Sequence, residues 1–271
     1  MESYMDIERK LQAELESFQK IWKGGFYSGN PRNPAFGLWG ITAYIGVSHA
    51  IYLGCVRPYV DESTTVLEIG CGRGAWSKLM VHAKQFYCVD ALSAEHNEFW
   101  QYVGASKSVT YFQAKDFSLE NIPFDSIDFS FSYDALCHVS FEGITEYAKN
   151  LYPRLRHGGH AIWMVADYEK YNHFVDNQDD YSTLSGLRPR RSRPMITAII
   201  NAASRRLVSW NGKRHNLHRQ DLQENGAPTP GRWYNAGRVR TSAMLQGLGY
   251  KVIDDDMGFD HRSPIIHFKK S

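Results

Sequence analysis

The sequence predicts an α/β fold in which helices cover both faces of an open, mostly parallel sheet. Three observations support this prediction. Short apolar runs alternate with helical patterns along the middle of the chain, a glycine-rich turn follows the first run at Val66–Gly74, and the last two runs are joined by a loop rather than a helix. Parallel strands need helical crossovers, whereas a loop lets the final strands pair antiparallel.

An extension of about 60 residues precedes this pattern. Its first helix is predicted over residues 5–22, where apolar side chains recur at helical spacing: Ile7, Leu11, Leu15, Phe18 and Trp22. Glycines and prolines then mark a loop, and a second helix is predicted from about Leu38 to Val56. We therefore divide the chain into a helical extension, 1–60, and a main domain, 61–271.

The main domain begins with alternating strands and helices. Strands are predicted at 65–69, 85–89, 109–113, 127–132 and 160–166. Helices are predicted at 75–83, 93–103, 143–155 and 239–248. Strands at 250–254 and 264–268 complete the sheet, and an insert of uncertain structure occupies about 168–237.

The insert carries a strong positive charge. The segment from Ser185 to Arg240 contains twelve lysines and arginines but only two acidic residues, which gives it a net charge of +10. The rest of the chain carries a net charge of −8. Arginine forks suit phosphate or carboxylate groups on a substrate, a nucleic-acid backbone or an anionic membrane surface. A solvated lid is the simplest alternative. Apolar spacing within it also predicts a helix at 196–208, over the pocket or at a subunit contact.

Composition excludes several classes of protein. The sequence has no run of about 18 apolar residues, so we expect no transmembrane helix, and the polar start, Met1–Lys10, does not resemble a signal peptide. The four cysteines, Cys55, Cys71, Cys88 and Cys137, form no CxxC pair. They predict reduced thiols in a cytoplasmic protein rather than disulfides or a metal centre.

The turn after the first strand is the main functional signal. Glycines alternate at Gly70, Gly72 and Gly74, two residues after the acidic Glu68. Glycine lets a ligand approach the main chain closely, and ligands of doubly wound sheets bind beyond the carboxyl ends of the strands. Asp90 ends the second strand, where a carboxylate can accept hydrogen bonds from both ribose hydroxyls; a helix N-cap or turn residue is the less favoured alternative.

Residues after the third strand and the spacing of the glycines further restrict the class of ligand. Asp116 follows this strand and can accept a hydrogen bond from an adenine amino group, with Phe117 beside the ring, although a plain loop aspartate is the alternative. No Lys-Ser or Lys-Thr pair follows the glycines, so the turn is not a P-loop. Its GxGxG spacing, rather than GxGxxG, disfavours NAD.

These residues resemble the class I S-adenosylmethionine-dependent methyltransferases over about 60–166 and 238–269. The resemblance rests on Val66–Gly74, Asp90, the fourth-strand segment Ile122–Ser132 with Leu136–Val139, and the turn Leu155–Gly159. It implies a Rossmann-like sheet of seven strands with an antiparallel last strand, and S-adenosylmethionine as cofactor. The implied cofactor contacts are Glu68, Gly70, Cys71, Gly72, Gly74, Asp90, Ala91, Asp116, Phe117 and Tyr133.

Methyl transfer to oxygen also needs a base near the ends of strands four and five. His138 is the first candidate because imidazole titrates near neutral pH; the alternative is a structural histidine that caps the following helix or contacts the cofactor. Asp167 and Tyr168 follow strand five and are further candidates. Asp134, Asp167 and Asp180 could bind a divalent cation, but no spacing demands it, and no metal is predicted.

The predicted acceptor is a polar small molecule, anionic or a sugar. Phe141–Asn150 and Met164–Tyr171 resemble segments of bacterial sugar O-methyltransferases. Aromatic residues suited to stacking on a sugar are Trp39, Tyr133, Tyr168, Tyr171 and Trp233. One alternative is an RNA or other nucleic-acid methyltransferase, although the Ser132–Ala135 loop lacks the Asn/Asp-Pro-Pro-aromatic pattern of base N-methylation. Another is a non-catalytic cofactor-binding regulator; a homodimer is compatible with each.

Overall fold

The computed structural model describes residues 4–21, 47–176 and 233–271. The extension contributes helix α1 (Tyr4–Ile21) and helix α2 (Val47–Ile51), which continues as a π-helical turn, Tyr52–Val56. Part of the predicted second helix, 38–46, lies outside the described residues, as does most of the basic insert.

The main domain alternates strands and helices as predicted. Its strands are β1 (Thr65–Ile69), β2 (Gln85–Asp90), β3 (Val109–Gln113), β4 (Ile127–Ser132), β5 (Leu155–Met164), β6 (Tyr250–Asp254) and β7 (Ile265–Lys270). Its described helices are α3 (Ser77–Met80), α4 (Phe99–Val103), a short 3₁₀ turn (Leu136–His138), α5 (Phe141–Leu151), α6 (Tyr168–Asp176) and α7 (Arg238–Gly247).

The seven strands form one sheet in the order β3-β2-β1-β4-β5-β7-β6. β1 pairs in parallel with both β2 and β4, and β7 runs antiparallel to both of its neighbours, β5 and β6. The predicted Rossmann-like sheet with an antiparallel last strand is therefore confirmed. The order reverses between β1 and β4, which places the ligand-binding crevice beside the turn after β1.

Two apolar cores pack against the two faces of this sheet. Alternate residues of β1 divide between them: Leu67 and Ile69 belong to one core and Val66 to the other. The first core includes Leu11 and Leu15 of α1, so the extension helix packs against the main domain. Complete burial of β1 explains its continuous apolar run, which a strand covered on both sides requires.

The observed bounds of three main-domain helices differ from the predicted bounds by more than one residue. The helix predicted at 75–83 is only α3, and the helix predicted at 93–103 begins at Phe99, because Glu98 adopts a left-handed backbone with φ 51°. The helix predicted at 143–155 begins earlier, where Ser140 caps it by accepting the Gly143 N–H, and ends at Leu151. Its end lies two residues before Pro153, next to which helical backbone is disfavoured.

Strand five also differs from its prediction: β5 begins at Leu155 rather than at His160. Leu155 pairs with Ile127, and a register irregularity follows before Phe129 pairs with His160. The strand was predicted to begin after Gly158 and Gly159, because a pair of glycines usually indicates a turn. None of the described helices is long and apolar enough to cross a membrane.

Candidate functional site

The turn after β1 is held from beneath by a buried carboxyl group. Glu68 is 2% exposed, and its Oε2 accepts a hydrogen bond of 2.5 Å from the Ser77 hydroxyl at the start of α3. Burial raises the pKa of Glu68 to about 8, an effect that the Ser77 hydrogen bond partly offsets. Glu68 therefore fixes the strand-to-helix turn from inside the protein.

Asp90 links the end of β2 to the glycine turn. Its Oδ2 accepts the Gly72 N–H at 2.8 Å, and its Oδ1 accepts the Leu92 N–H at 2.9 Å. Burial raises the pKa of this carboxyl, whereas the two backbone N–H groups lower it. Because a carboxylate oxygen can accept more than one hydrogen bond, both oxygens retain capacity for ligand hydroxyls.

The glycines of the turn have different surroundings. At Gly72 (φ 52°) an added Cβ would meet nothing within 4 Å, so the backbone here borders open space. At Gly74 (φ 97°) a Cβ would lie 2.2 Å from a Val103 methyl carbon, so this glycine serves close helix packing. Cys71, directly before Gly72, is buried, and burial raises its thiol pKa well above the usual value, which makes it unreactive.

The loop after β3 borders a small pocket. Its wall includes Val89, Phe112, Gln113, Ala114, Lys115 and Asp116. The Ala91 carbonyl accepts a hydrogen bond from the Gln113 side chain at 3.1 Å, and Asp116 is exposed, accepting the Ser118 N–H at 2.7 Å. Phe117 is buried with its ring edge-on to Tyr147, so it is a core residue rather than an open stacking surface.

Three polar side chains converge in the loop after β4. Asp134, Cys137 and His138 each bring one potential ligand atom within 4.8 Å of the others. Asp134 has a left-handed backbone, φ 57°, and burial raises its pKa while the charge interactions with Arg262 and His138 lower it. These three residues are able to hold a metal ion, and the prediction that none is used stays a prediction.

The candidates after β5 are engaged in the fold. Asp167 caps two helices: its Oδ1 accepts the N–H groups of Glu169 and Lys170, and its Oδ2 accepts the Arg238 N–H. Tyr168 is 2% exposed, and its hydroxyl donates to the Trp233 carbonyl oxygen. Both residues therefore position α6, α7 and Trp233 around the mouth of the site.

One contribution to this mouth was missed in the sequence. The loop before β7 supplies Asp260 and Arg262; Asp260 accepts a hydrogen bond of 2.7 Å from the Tyr133 hydroxyl. Arg262 lies over the Trp233 ring, with its Cζ 5.6 Å from the ring centroid. The sequence pattern that could have indicated this contribution is an acid and an arginine two residues apart, shortly before the last strand. That position lies at the edge of the sheet where the parallel strands have their carboxyl ends.

Several predicted features lie outside the described residues. These are Trp39, Asp180, the helix at 196–208 and the arginines from Arg188 to Arg232. Two cations near the end of the insert are described: Arg238 pairs with Asp255 at 3.4 Å, and Arg240 lies over the Phe141 ring, 3.6 Å from its centroid. These two are committed to contacts within the domain.

The middle of the chain is similar to a known protein family. Residues 66–159 match a family model described as a methyltransferase domain. No curated protein sequence matches the chain.

Many solved structures share a distant likeness. An S-adenosylmethionine-dependent methyltransferase from Mesorhizobium loti is 17% identical, with 83% of this chain and 100% of that chain covered and a TM-score of 0.49. Magnesium protoporphyrin IX methyltransferase from Synechocystis PCC 6803 with bound SAH is 14% identical (83% and 81% covered, TM-score 0.47). A SAM-dependent methyltransferase from Aquifex aeolicus is 14% identical, with 80% of this chain and 87% of that chain covered and a TM-score of 0.47. These likenesses are too distant to indicate a substrate.

Proposed function

We propose that this chain, which carries a class I S-adenosylmethionine-dependent methyltransferase domain, transfers a methyl group to a hydroxyl of a polar small molecule. The premise is the match of residues 66–159 to a family model described as a methyltransferase domain, which agrees with the sequence prediction; S-adenosylmethionine is the cofactor that the motifs of this segment imply. The single observation that carries the rest is the convergence of Asp134 and His138 in the loop after β4, whose Ala135 lies against Gly70 of the glycine turn.

The residues around the glycine turn fit the cofactor. Gly72 borders open space, and Asp90 lies directly against it with hydrogen-bonding capacity left on both oxygens. Asp90 would therefore hold the ribose hydroxyls, and the backbone at 70–74 would border the amino-acid part. Asp116, at the rim of the pocket after β3, would contact the adenine.

His138 is the proposed base. S-adenosylmethionine supplies a methyl group already activated by its sulfonium, so the protein must mainly position the acceptor and take its proton. His138 is half-buried at the end of the turn after β4, and a carboxylate oxygen of Asp134 lies within 4.8 Å of a His138 ring nitrogen. In this arrangement His138 accepts the hydroxyl proton, and Asp134 stabilises the imidazolium, as carboxylates do in other histidine-base sites.

Asp167 and Tyr168 would support this site indirectly. The oxygens of Asp167 already accept three backbone N–H groups, and the Tyr168 hydroxyl is committed to Trp233. Both were predicted as alternative bases. We now propose that they act as positioning residues, which leaves His138 as the group that takes the proton.

A sugar is the proposed acceptor class. Tyr171 and Trp233 pack edge to face, 5.6 Å between centroids, and the Trp233 ring lies 6.4 Å from the His138 ring. Partly exposed aromatic rings beside a base suit stacking on a sugar ring. The nucleic-acid alternative depends on the basic insert, most of which lies outside the described residues.

A screen with methyl-labelled S-adenosylmethionine tests the proposal. We expect label transfer to a member of a panel of nucleotide sugars, phosphosugars and small phenols. Transfer to RNA, with a steep salt dependence, would favour the nucleic-acid alternative. Cofactor binding without transfer to any acceptor would favour a non-catalytic regulator.

The base assignment has its own test. With an acceptor from this screen, His138→Gln should lower kcat about 10²–10⁴-fold, the usual contribution of a general base, and should leave cofactor affinity within threefold. His157→Gln is the matched control, because His157 is exposed near the start of β5, away from the site. Unchanged turnover in His138→Gln would contradict the assignment.

A further inference from the structure

Trp233 connects separate parts of the acceptor side of the site. Its ring is half-buried and lies near His138 from the loop after β4, Tyr171 from α6 and Arg262 from the loop before β7. Its carbonyl oxygen accepts a hydrogen bond from the Tyr168 hydroxyl, which ties Trp233 to the start of α6. The Cζ of Arg262 and the ring of His138 both lie within 6.4 Å of the Trp233 ring centroid.

Arg262 is held in place by Asp260. The Asp260 Oδ1 accepts the Arg262 backbone N–H at 2.8 Å, and its Oδ2 lies 3.5 Å from Arg262 Nη2 while accepting the Tyr133 hydroxyl. The Asp260 side chain is 3% exposed, whereas that of Arg262 is 42% exposed. The carboxylate is therefore enclosed by the fold, and the guanidinium faces outward.

The guanidinium has hydrogen-bonding capacity left for a ligand. It carries five N–H donors, and charge-assisted hydrogen bonds are typically about 2.7–2.9 Å. In the described part of the chain, the distance between Arg262 Nη2 and Asp260 Oδ2 is longer than this, at 3.5 Å. One carboxylate at this separation cannot engage all five donors, so donors remain for a ligand.

We infer that Arg262, supported by Trp233, binds an anionic group of the acceptor, a carboxylate or a phosphate, and so orients an acceptor hydroxyl toward His138. This inference rests on the proposed function, because it assumes an acceptor beside His138. Two carboxylates lie near the guanidinium: Asp260 is buried and also accepts the Tyr133 hydroxyl, and Asp134, whose charge interacts with that of Arg262, lies with Cys137 and His138. The acceptor class is then an acidic sugar, either a uronate or a sugar phosphate.

Ligand titrations distinguish this inference from the proposed function. S-adenosylhomocysteine is first titrated into the full chain by calorimetry; failure to bind would overturn the proposed function. The saturated protein is then titrated with glucuronate, glucose 6-phosphate and uncharged methyl glucoside. We expect at least one anion to bind ten or more times as tightly as methyl glucoside, and the tighter anion identifies the group. Equal binding, or no saturable anion binding, would overturn the inference alone.

Substitution of Arg262 completes the test. Arg262→Gln should abolish the preference for the anion, and Arg262→Lys should retain part of it, because lysine keeps the charge but loses the fork. Arg156→Gln is the control: Arg156 is 45% exposed and pairs with Asp128 at 2.7 Å near the opposite end of the sheet. An anion preference that survives in Arg262→Gln would contradict the inference, and S-adenosylhomocysteine affinity should be unchanged in all three variants.

Discussion

At the scale of single residues, Glu68 has an unexpected protonation state. It was predicted to contact the cofactor, but its side chain is buried and bonded to Ser77. With its pKa raised to about 8 by burial, Glu68 is mostly protonated at neutral pH. Its role is then to connect the end of β1 to the start of α3, which fixes the glycine turn for its ligand.

This protonation state predicts a specific pH dependence. Between the unfolded pKa of 4.5 and the folded pKa of about 8, the folded protein keeps a proton that the unfolded chain has lost. The free energy of unfolding contributed by Glu68 should therefore fall as pH rises through this window, by up to about 1.4 kcal/mol per pH unit, and level off above it.

Glu68→Gln should remove this contribution, because the amide does not titrate. Urea unfolding of wild type and variant from pH 5 to 9 measures the difference, and wild type should lose stability relative to Glu68→Gln as pH rises. Glu62→Gln, at an exposed position, is the control and should parallel wild type. A parallel curve for Glu68→Gln would show that Glu68 is ionised in the folded protein.

At the scale of elements, apolar patterns predicted the strands better than the short helices. The first four strands agree within one residue because their burial produces continuous or alternating apolar runs. The helix predicted from Ser93 begins only at Phe99; just before it, the buried Asn97 side chain donates to the Tyr111 hydroxyl at 2.9 Å. Such a contact between distant residues leaves no periodic signal in the sequence.

The attachment of α1 is another long-range feature. Glu14 is 7% exposed, and its two oxygens accept the backbone N–H and the hydroxyl of Ser140, each at 2.7 Å. Ser140 in turn caps α5, two residues after His138. One carboxylate thus connects the extension to the loop that carries the proposed base.

Glu14→Ala should loosen this attachment. We expect a loss of roughly 1–3 kcal/mol in unfolding free energy, because Ser140 loses a charged partner in a buried setting. Glu16→Ala on the same helix is the control, since Glu16 is exposed and accepts a single 3.2 Å hydrogen bond from Gln12. Chemical denaturation measures both variants, and equal stability would show that α1 is not anchored by Glu14.

At the scale of the whole molecule, the residues predicted for the cofactor side lie close together in the sequence, whereas those of the proposed acceptor side do not. The cofactor turn and Asp90 lie within 25 residues of each other, in βα units whose geometry is regular. The acceptor side instead combines loops near 134–138, 167–171, 233 and 260–262. These converge only because the sheet order brings β4, β5 and β7 side by side, and no local pattern reports it.

The central claim is that the glycine turn binds S-adenosylmethionine, and calorimetric titration of Gly72→Ala tests it most directly. The new methyl group would occupy the open space beside the turn, so affinity should fall at least tenfold, whereas fold stability should fall by only about 1 kcal/mol. Gly158→Ala is the matched control, with φ 76° and equally open surroundings near the start of β5, and should bind normally. Wild-type affinity in Gly72→Ala would contradict the account.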